Sequence, residues 1–218
     1  MSVVPVVGYF RAWVAEKMGD DTPERLGFLT LNPLDHISFF WVIAMMLDLV
    51  SIGFGRYIPL NPHNFYGRYR TFKMLVAYLS DAFANIIFAL LSLFAFVAIF
   101  GEVNLINSFS HVGRAALYSE YAQTTSFMIV FALFLSSIVF FNSMLATFNI
   151  IVNLFYAGFF YFYSSRKVVY QNNDHMQWVL FVGPIIFLIL FFESIQNGVI
   201  RFIVSMGTYF SKLLFLFS

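Results

Sequence analysis

At 218 residues the chain has the length of one domain, yet 61% of it is apolar, 21% aromatic and only 11% charged, against about 45–50% apolar and about 25% charged in soluble globular proteins. So little charge cannot coat a water-soluble globule or keep a chain disordered, and a net charge of +1 with no basic run offers no field for nucleic acid. The absence of Cys removes disulfides, thiolate zinc sites, iron–sulfur clusters and cysteine nucleophiles. The composition reads as an all-α, polytopic membrane protein.

In chain order, Met1 to Val7 is apolar but lacks the basic leader and the small-residue cleavage site of a signal peptide. Met1 to Met18 therefore reads as a short helix, followed by a loop from Gly19 to His36. A span needs about 20 mostly apolar residues, and Ile37 to Gly55 is the first, interrupted by Asp48. Arg56, Arg68, Arg70 and Lys73 make the next loop basic, which marks the cytoplasm-like or matrix-like side. Within it, Pro59, Pro62 and the Asn side chains set turns between Asn61 and Arg70. The second span runs from Met74 to Phe100, with Asp81 and Asn85 near its start.

After a loop from Gly101 to Thr125, Ser126 to Tyr163 is nearly twice a span length and reads as a hairpin or bent re-entrant pair. Its expected break lies between Asn142 and Asn149. Trp178 to Phe217 is also of double length, with Glu193, Gln196, Asn197 and Arg201 at its middle as a turn between two helices or a snorkelling point. Five or six membrane helices follow, in one membrane domain over residues 1–218. Its parts are 1–36, 37–100, 126–163 and 178–217.

Site chemistry is sparse. His36, His63, His111 and His175 show no i, i+4 pair that would put two imidazoles on one helical face for a metal. There is no Gly-rich phosphate loop, and no cofactor is expected. Asp48, Asp81 and Glu193 lie inside expected spans, where unpaired charge costs at least about 2.5–3.5 kcal/mol. Each is a functional candidate, against the plainer reading of an interfacial or helix-paired carboxylate.

The text from Trp13 to Asn85 is more specific. It reads AWVAEKMGDDT at 12–22, LTLNPLDHI at 29–37, GFGRYIPLNPHNF at 53–65, RYR at 68–70 and LSDAFAN at 79–85. In order and spacing this resembles the compact bacterial-type branch of the site-2 protease family of intramembrane zinc metalloproteases. That branch has a Gly-Asp-x-Thr element, then "TLNPLxHID", a "PVPVNPxNF" loop and an "AGPxxN" helix. Gly19, Asp20, Thr22, Asn32, Pro33, His36, Asn61, Pro62, Asn64 and Asn85 match those motifs. Asn149 and Gly158 match a later "FNLLPIPPLDG" element more loosely.

The departures fall on the chemistry. The family's His-Glu-x-x-His corresponds here to Val7, Gly8 and Arg11, and the third ligand, an Asp, to Ala157. The Gly-Pro of "AGPxxN" falls on Asp81 and Ala82, and the "PIPP" segment, with its three prolines, on Val152, Asn153, Leu154 and Phe155. Because that chemistry needs three protein ligands and an activated water, the resemblance with these departures implies a chain that is not an enzyme and holds no metal. It also implies a cleft closed by side chains, since irregular backbone at membrane depth needs a cavity to line.

The expected role is then a structural or accessory subunit of a larger membrane complex, with a mitochondrial respiratory or ATP synthase complex of the inner membrane as hosts. Its partners would be other subunits and lipids, not nucleic acid. Glu193 and Arg201 are expected to mark the outward surface, and Asn149 and Asn153 to make contacts inside the chain. One alternative is a proton-path or transport subunit, which needs an Arg in the middle of its first long helix; Ser126 to Tyr163 contains none. The other is an intramembrane metalloprotease with unrecognised ligands.

Overall fold

The computed structural model describes residues 4–47, 55–109, 126–165 and 186–217. Every regular element among the described residues is a helix. In order these are α1 (Val4–Met18), α2 (Thr22–Arg25), α3 (Pro33–His36), α4 (Phe39–Met46), α5 (Arg70–Phe100), α6 (Glu102–Ser108), α7 (Ser126–Ser165) and α8 (Phe192–Phe217). An isolated antiparallel bridge pairs Ile37 with Gly55.

Local sequence explains the boundaries. Gly19 ends α1 with φ +110; its N–H donates to the Glu16 carbonyl at 3.0 Å and that of Asp20 to the Ala15 carbonyl at 2.9 Å. These are the two bonds of a Schellman cap, which needs a left-handed residue and so favours glycine. Asn32 caps α3 by accepting from the Leu34 N–H, and Pro33 occupies the first turn, where no backbone donor is needed.

Among the described residues, α5, α7 (over Phe127–Gly158) and α8 (over Phe192–Leu216) are long and apolar enough to cross a membrane. Three such helices are found among the described residues, and the expected count of five or six is not confirmed. The segment Ile37 to Gly55 is corrected first: its two ends are paired by the bridge, and the Arg56 N–H donates to the His36 carbonyl at 2.6 Å. The ends of a single crossing would stand about 30 Å apart, so this segment returns to where it began. Asp48 lies outside the described residues.

The hairpin expected at 126–163 is corrected too, because α7 is one helix of 40 residues. It contains no Pro, and its first Gly is Gly158. Its polar side chains do not interrupt it, because they bond to their own helix: Asn142 Nδ2 donates to the Ile138 carbonyl at 2.8 Å and Thr147 Oγ1 to the Ser143 carbonyl at 2.9 Å. A polar group satisfied four residues back needs no break in the ladder. In the last stretch the break falls at Phe191. Glu193 to Arg201 lie within continuous α8 rather than in a turn.

The chain divides into two compact units, one of Met1–Ala84 with Phe148–Leu190 and the other of Asn85–Thr147 with Phe191–Ser218. In the first, Ala15, Leu60, Phe65, Met74, Ala77 and Tyr78 form a buried cluster, and Ala12, Phe28 and Ile58 another. In the second, α8 meets α6 closely at Gly207, where a Cβ would come within 2.5 Å of Leu105 Cδ2. Phe94 and Phe210 meet edge to face there, with centroids 5.7 Å apart.

Candidate functional site

The motif residues of the first unit form two groups. One is a knot between the loop after α1 and the loop before α5. Asp20 is fully buried. Its Oδ1 accepts from the Thr22 N–H at 3.1 Å, Thr22 Oγ1 at 2.6 Å and Asn64 Nδ2 at 2.8 Å. Its Oδ2 accepts from the Asn61 N–H at 2.7 Å. Asn61 Nδ2 donates to Asn64 Oδ1 at 3.2 Å, and Asn61 Oδ1 accepts from the His63 N–H at 3.1 Å. Gly19, Asp20, Thr22, Asn61, Pro62 and Asn64 thus build a scaffold that ties residues 19–22 to 61–64, since a buried carboxylate is tolerated when its lone pairs are filled. Replacing Asn61 with Ala removes two of these bonds and should cost about 1 kcal/mol, read as a lower unfolding midpoint in detergent.

The second group surrounds the positions that the resemblance aligns with metal ligands. Val7, Arg11 and Ala157 are all buried. Arg11 Nη1 donates to Asp81 Oδ2 as a buried ion pair. Asp81 Oδ1 accepts from Asn153 Nδ2 at 3.1 Å and from the Ala82 N–H at 2.7 Å. The Arg11 guanidinium lies over the Tyr57 ring at 5.7 Å and the Tyr78 ring at 6.0 Å, contacts favourable to a cation. Arg11 on α1, Asp81 on α5 and Asn153 on α7 therefore meet in one buried polar centre.

Gly8 completes the picture. A Cβ built on it would lie 2.2 Å from His36 Nδ1. The His36 ring is 1% exposed, and its Nε2–H donates to the Thr30 carbonyl at 2.6 Å. Its Nδ1 has no hydrogen-bond partner. The imidazole thus occupies the space that a side chain at position 8 would use.

Asn85, one turn beyond Asp81 on α5, is buried. Asn149 is half-buried and Gly158 exposed, and neither joins the Arg11 centre in the described contacts. Asn153 does make its expected internal contact. Glu193 and Arg201 are exposed on α8, and eight residues separate them by about 12 Å along the axis. The pairing of Arg11 with Asp81 was missed by the sequence reading. The signal was there: two positions that depart from the family pattern carry opposite charges, and each would be costly alone at such depth.

The resemblance implies a zinc ion at this centre, and the residues present do not fit one. Zinc needs lone pairs converging on a point, whereas Arg11 is all donors and Val7, Gly8 and Ala157 offer no ligating side-chain atom. The Asp81 carboxylate is taken up by Arg11, Asn153 and the Ala82 N–H. Among the described residues no three His, Cys, Asp or Glu side chains gather as a metal-binding group.

Comparison with known proteins gives one informative likeness. The chain is 31% identical over 123 residues to a Bacillus subtilis (strain 168) protein named "Putative zinc metalloprotease YwhC". The match takes in 56% of this chain and 54% of that protein, so the chain spans about half the length of the curated relative it matches. No family model and no solved structure matches. This likeness corrects one expectation: a relative named as a zinc metalloprotease points toward a protease and overturns the reading that the chain is not an enzyme.

Proposed function

We propose that this chain works as a subunit of a larger membrane complex, on a site-2-protease-like helical scaffold, and engages other membrane polypeptides through its last helix. The order of motifs from Trp13 to Asn85 and the likeness to a protein named as a metalloprotease support the scaffold. The observation that carries the role is the polar stripe of α8. Glu193, Asn197, Arg201 and Ser205 recur every four residues and are all exposed. Val199, Ile203 and Gly207 are buried, the last against Leu105 of α6. Residues two apart lie about 200° around a helix, so the stripe lies on the side of α8 opposite its buried residues. Carboxylate, amide and guanidinium groups on an otherwise apolar helix favour protein contacts over lipid tails.

Replacing Glu193 and Arg201 together with Leu should leave the fold intact, because both are exposed, and should strip partners from the tagged chain during extraction in mild detergent. Unchanged copurification, or unfolding of the variant, would remove the support for this surface.

A second reading is cleavage of polypeptides at or in the membrane, favoured by the name of the relative. It is tested by incubating the purified chain with fragments of membrane proteins, with and without a zinc chelator. Chelator-sensitive cleavage supports it, and no cleavage under either condition counts against it.

A further inference from the structure

We propose that the Nε–Nη2 edge of Arg11 is a carboxylate-binding site, which takes an anion where a metal site takes a cation. This goes beyond the subunit reading and does not depend on it. The Arg11 side chain is 6% exposed. One of its nitrogens, Nη1, is committed to Asp81, while Nε and Nη2 have no hydrogen-bond partner. Buried N–H groups are paired in the great majority of cases, so two on one side chain, at this burial, are out of the ordinary.

They are also not scattered. In a guanidinium, Nε–H and one N–H of Nη2 run parallel along a single edge, and the spacing of that fork matches the two oxygens of a planar carboxylate.

The surroundings favour an anion with one charge. Asp81 spreads its charge over donors that include Arg11 Nη1, Asn153 Nδ2 and the Ala82 N–H, while Nε and Nη2 of Arg11 bond to none of its atoms. The guanidinium therefore keeps positive character on its far edge. Tyr57 and Tyr78 cover its faces but leave that edge unsatisfied. A doubly charged phosphate would ask for more positive charge than one arginine already paired with Asp81 can supply. Tyr57, whose ring lies over the guanidinium, is itself 58% exposed, so the centre lies beneath a side chain that reaches the surface. The carboxylate could belong to a small acid or to an acyl chain entering from the bilayer, and the two sources share the same headgroup chemistry.

The test uses the full-length chain in neutral detergent, with carbon-13-labelled acetate as the headgroup alone and carbon-13-labelled decanoate as the same headgroup on an acyl chain. Binding is read from concentration-dependent broadening of the carboxyl resonance. Saturable binding of either supports the proposal, and a lower midpoint for decanoate assigns the source to the bilayer. Arg11→Lys keeps a cation beside Asp81 but has no fork, so binding should weaken at least tenfold while the circular dichroism spectrum is retained. If that variant does not fold, the pair Arg11→Gln with Asp81→Asn removes both charges and should likewise abolish binding. Saturation by neither acid, or unchanged binding in the fork-less variants, overturns the proposal.

Discussion

Replacing Arg11 with Leu should destabilise the chain by about 3–5 kcal/mol, one of the two largest single-residue effects expected in this protein. The reason lies in what is left behind. Asp81 is 8% exposed and Arg11 5%, so the variant leaves a carboxylate away from water without its countercharge, though Asn153 and the Ala82 N–H still bond to it. Asp81→Leu strands the guanidinium and should cost a similar amount. Replacing both with apolar residues, as Arg11→Met with Asp81→Leu, should recover most of the loss, because removing a buried pair together is often neutral or stabilising. Unfolding midpoints of the four proteins in one detergent give the coupling energy directly. If the two single losses simply add in the double variant, the two residues are not a pair.

Gly8→Ala should cost about 1–3 kcal/mol, the range for forcing extra atoms into a filled interior. A helical Gly→Ala change ordinarily stabilises by about 1 kcal/mol, so the sign itself is diagnostic. Here the new Cβ would stand 2.2 Å from His36 Nδ1 and 2.8 Å from its Cε1. The ring cannot retreat freely, since its other nitrogen is bonded to the Thr30 carbonyl and its faces are buried beside Phe28, with centroids 6.0 Å apart. On a His36→Ala background the penalty should shrink or reverse. Measuring Gly8→Ala in both backgrounds decides it: an equal effect in each would mean that His36 does not fill the space beside position 8.

How much of this was readable beforehand depends on the distance over which the cause acts. The cap at Gly19, the turn at Asn32-Pro33 and the Asn-rich loop at 61–64 follow from short-range rules of backbone conformation and side-chain bonding, and of these the turns at Asn61 to Arg70 are the ones expected from the sequence. The long apolar runs located α5 and the membrane character of the regions that hold α7 and α8, but not their division into helices. The hairpin expected within Ser126 to Tyr163 rests on length alone, and the local sequence favours one helix. No residue there breaks a helix before Gly158, and Asn142 and Thr147 bond back to their own turns.

The Ile37 to Gly55 segment shows a different limit. Its hydropathy is that of a crossing, and only a backbone bridge between its two ends shows otherwise. At the Arg11 centre, both charges are legible in the chain but their union is not, because it depends on side chains of α1 and α5 meeting from positions 70 residues apart. The orphaned edge of Arg11 and the fit of His36 against Gly8 are properties of packing, with no trace in periodicity or composition.

The bridge between Ile37 and Gly55 acts as a drawstring. The backbone bonds of His36 with Arg56 and of Ile37 with Gly55 tie the two ends of this segment together at one neck. Whatever is strung on such a neck can grow or shrink almost without thermodynamic penalty, since doubling a loop adds only about 0.6 kcal/mol of closure entropy. The chain thereby has a place where length can change over evolutionary time while the knot at Asp20 and the buried ion pair stay in register.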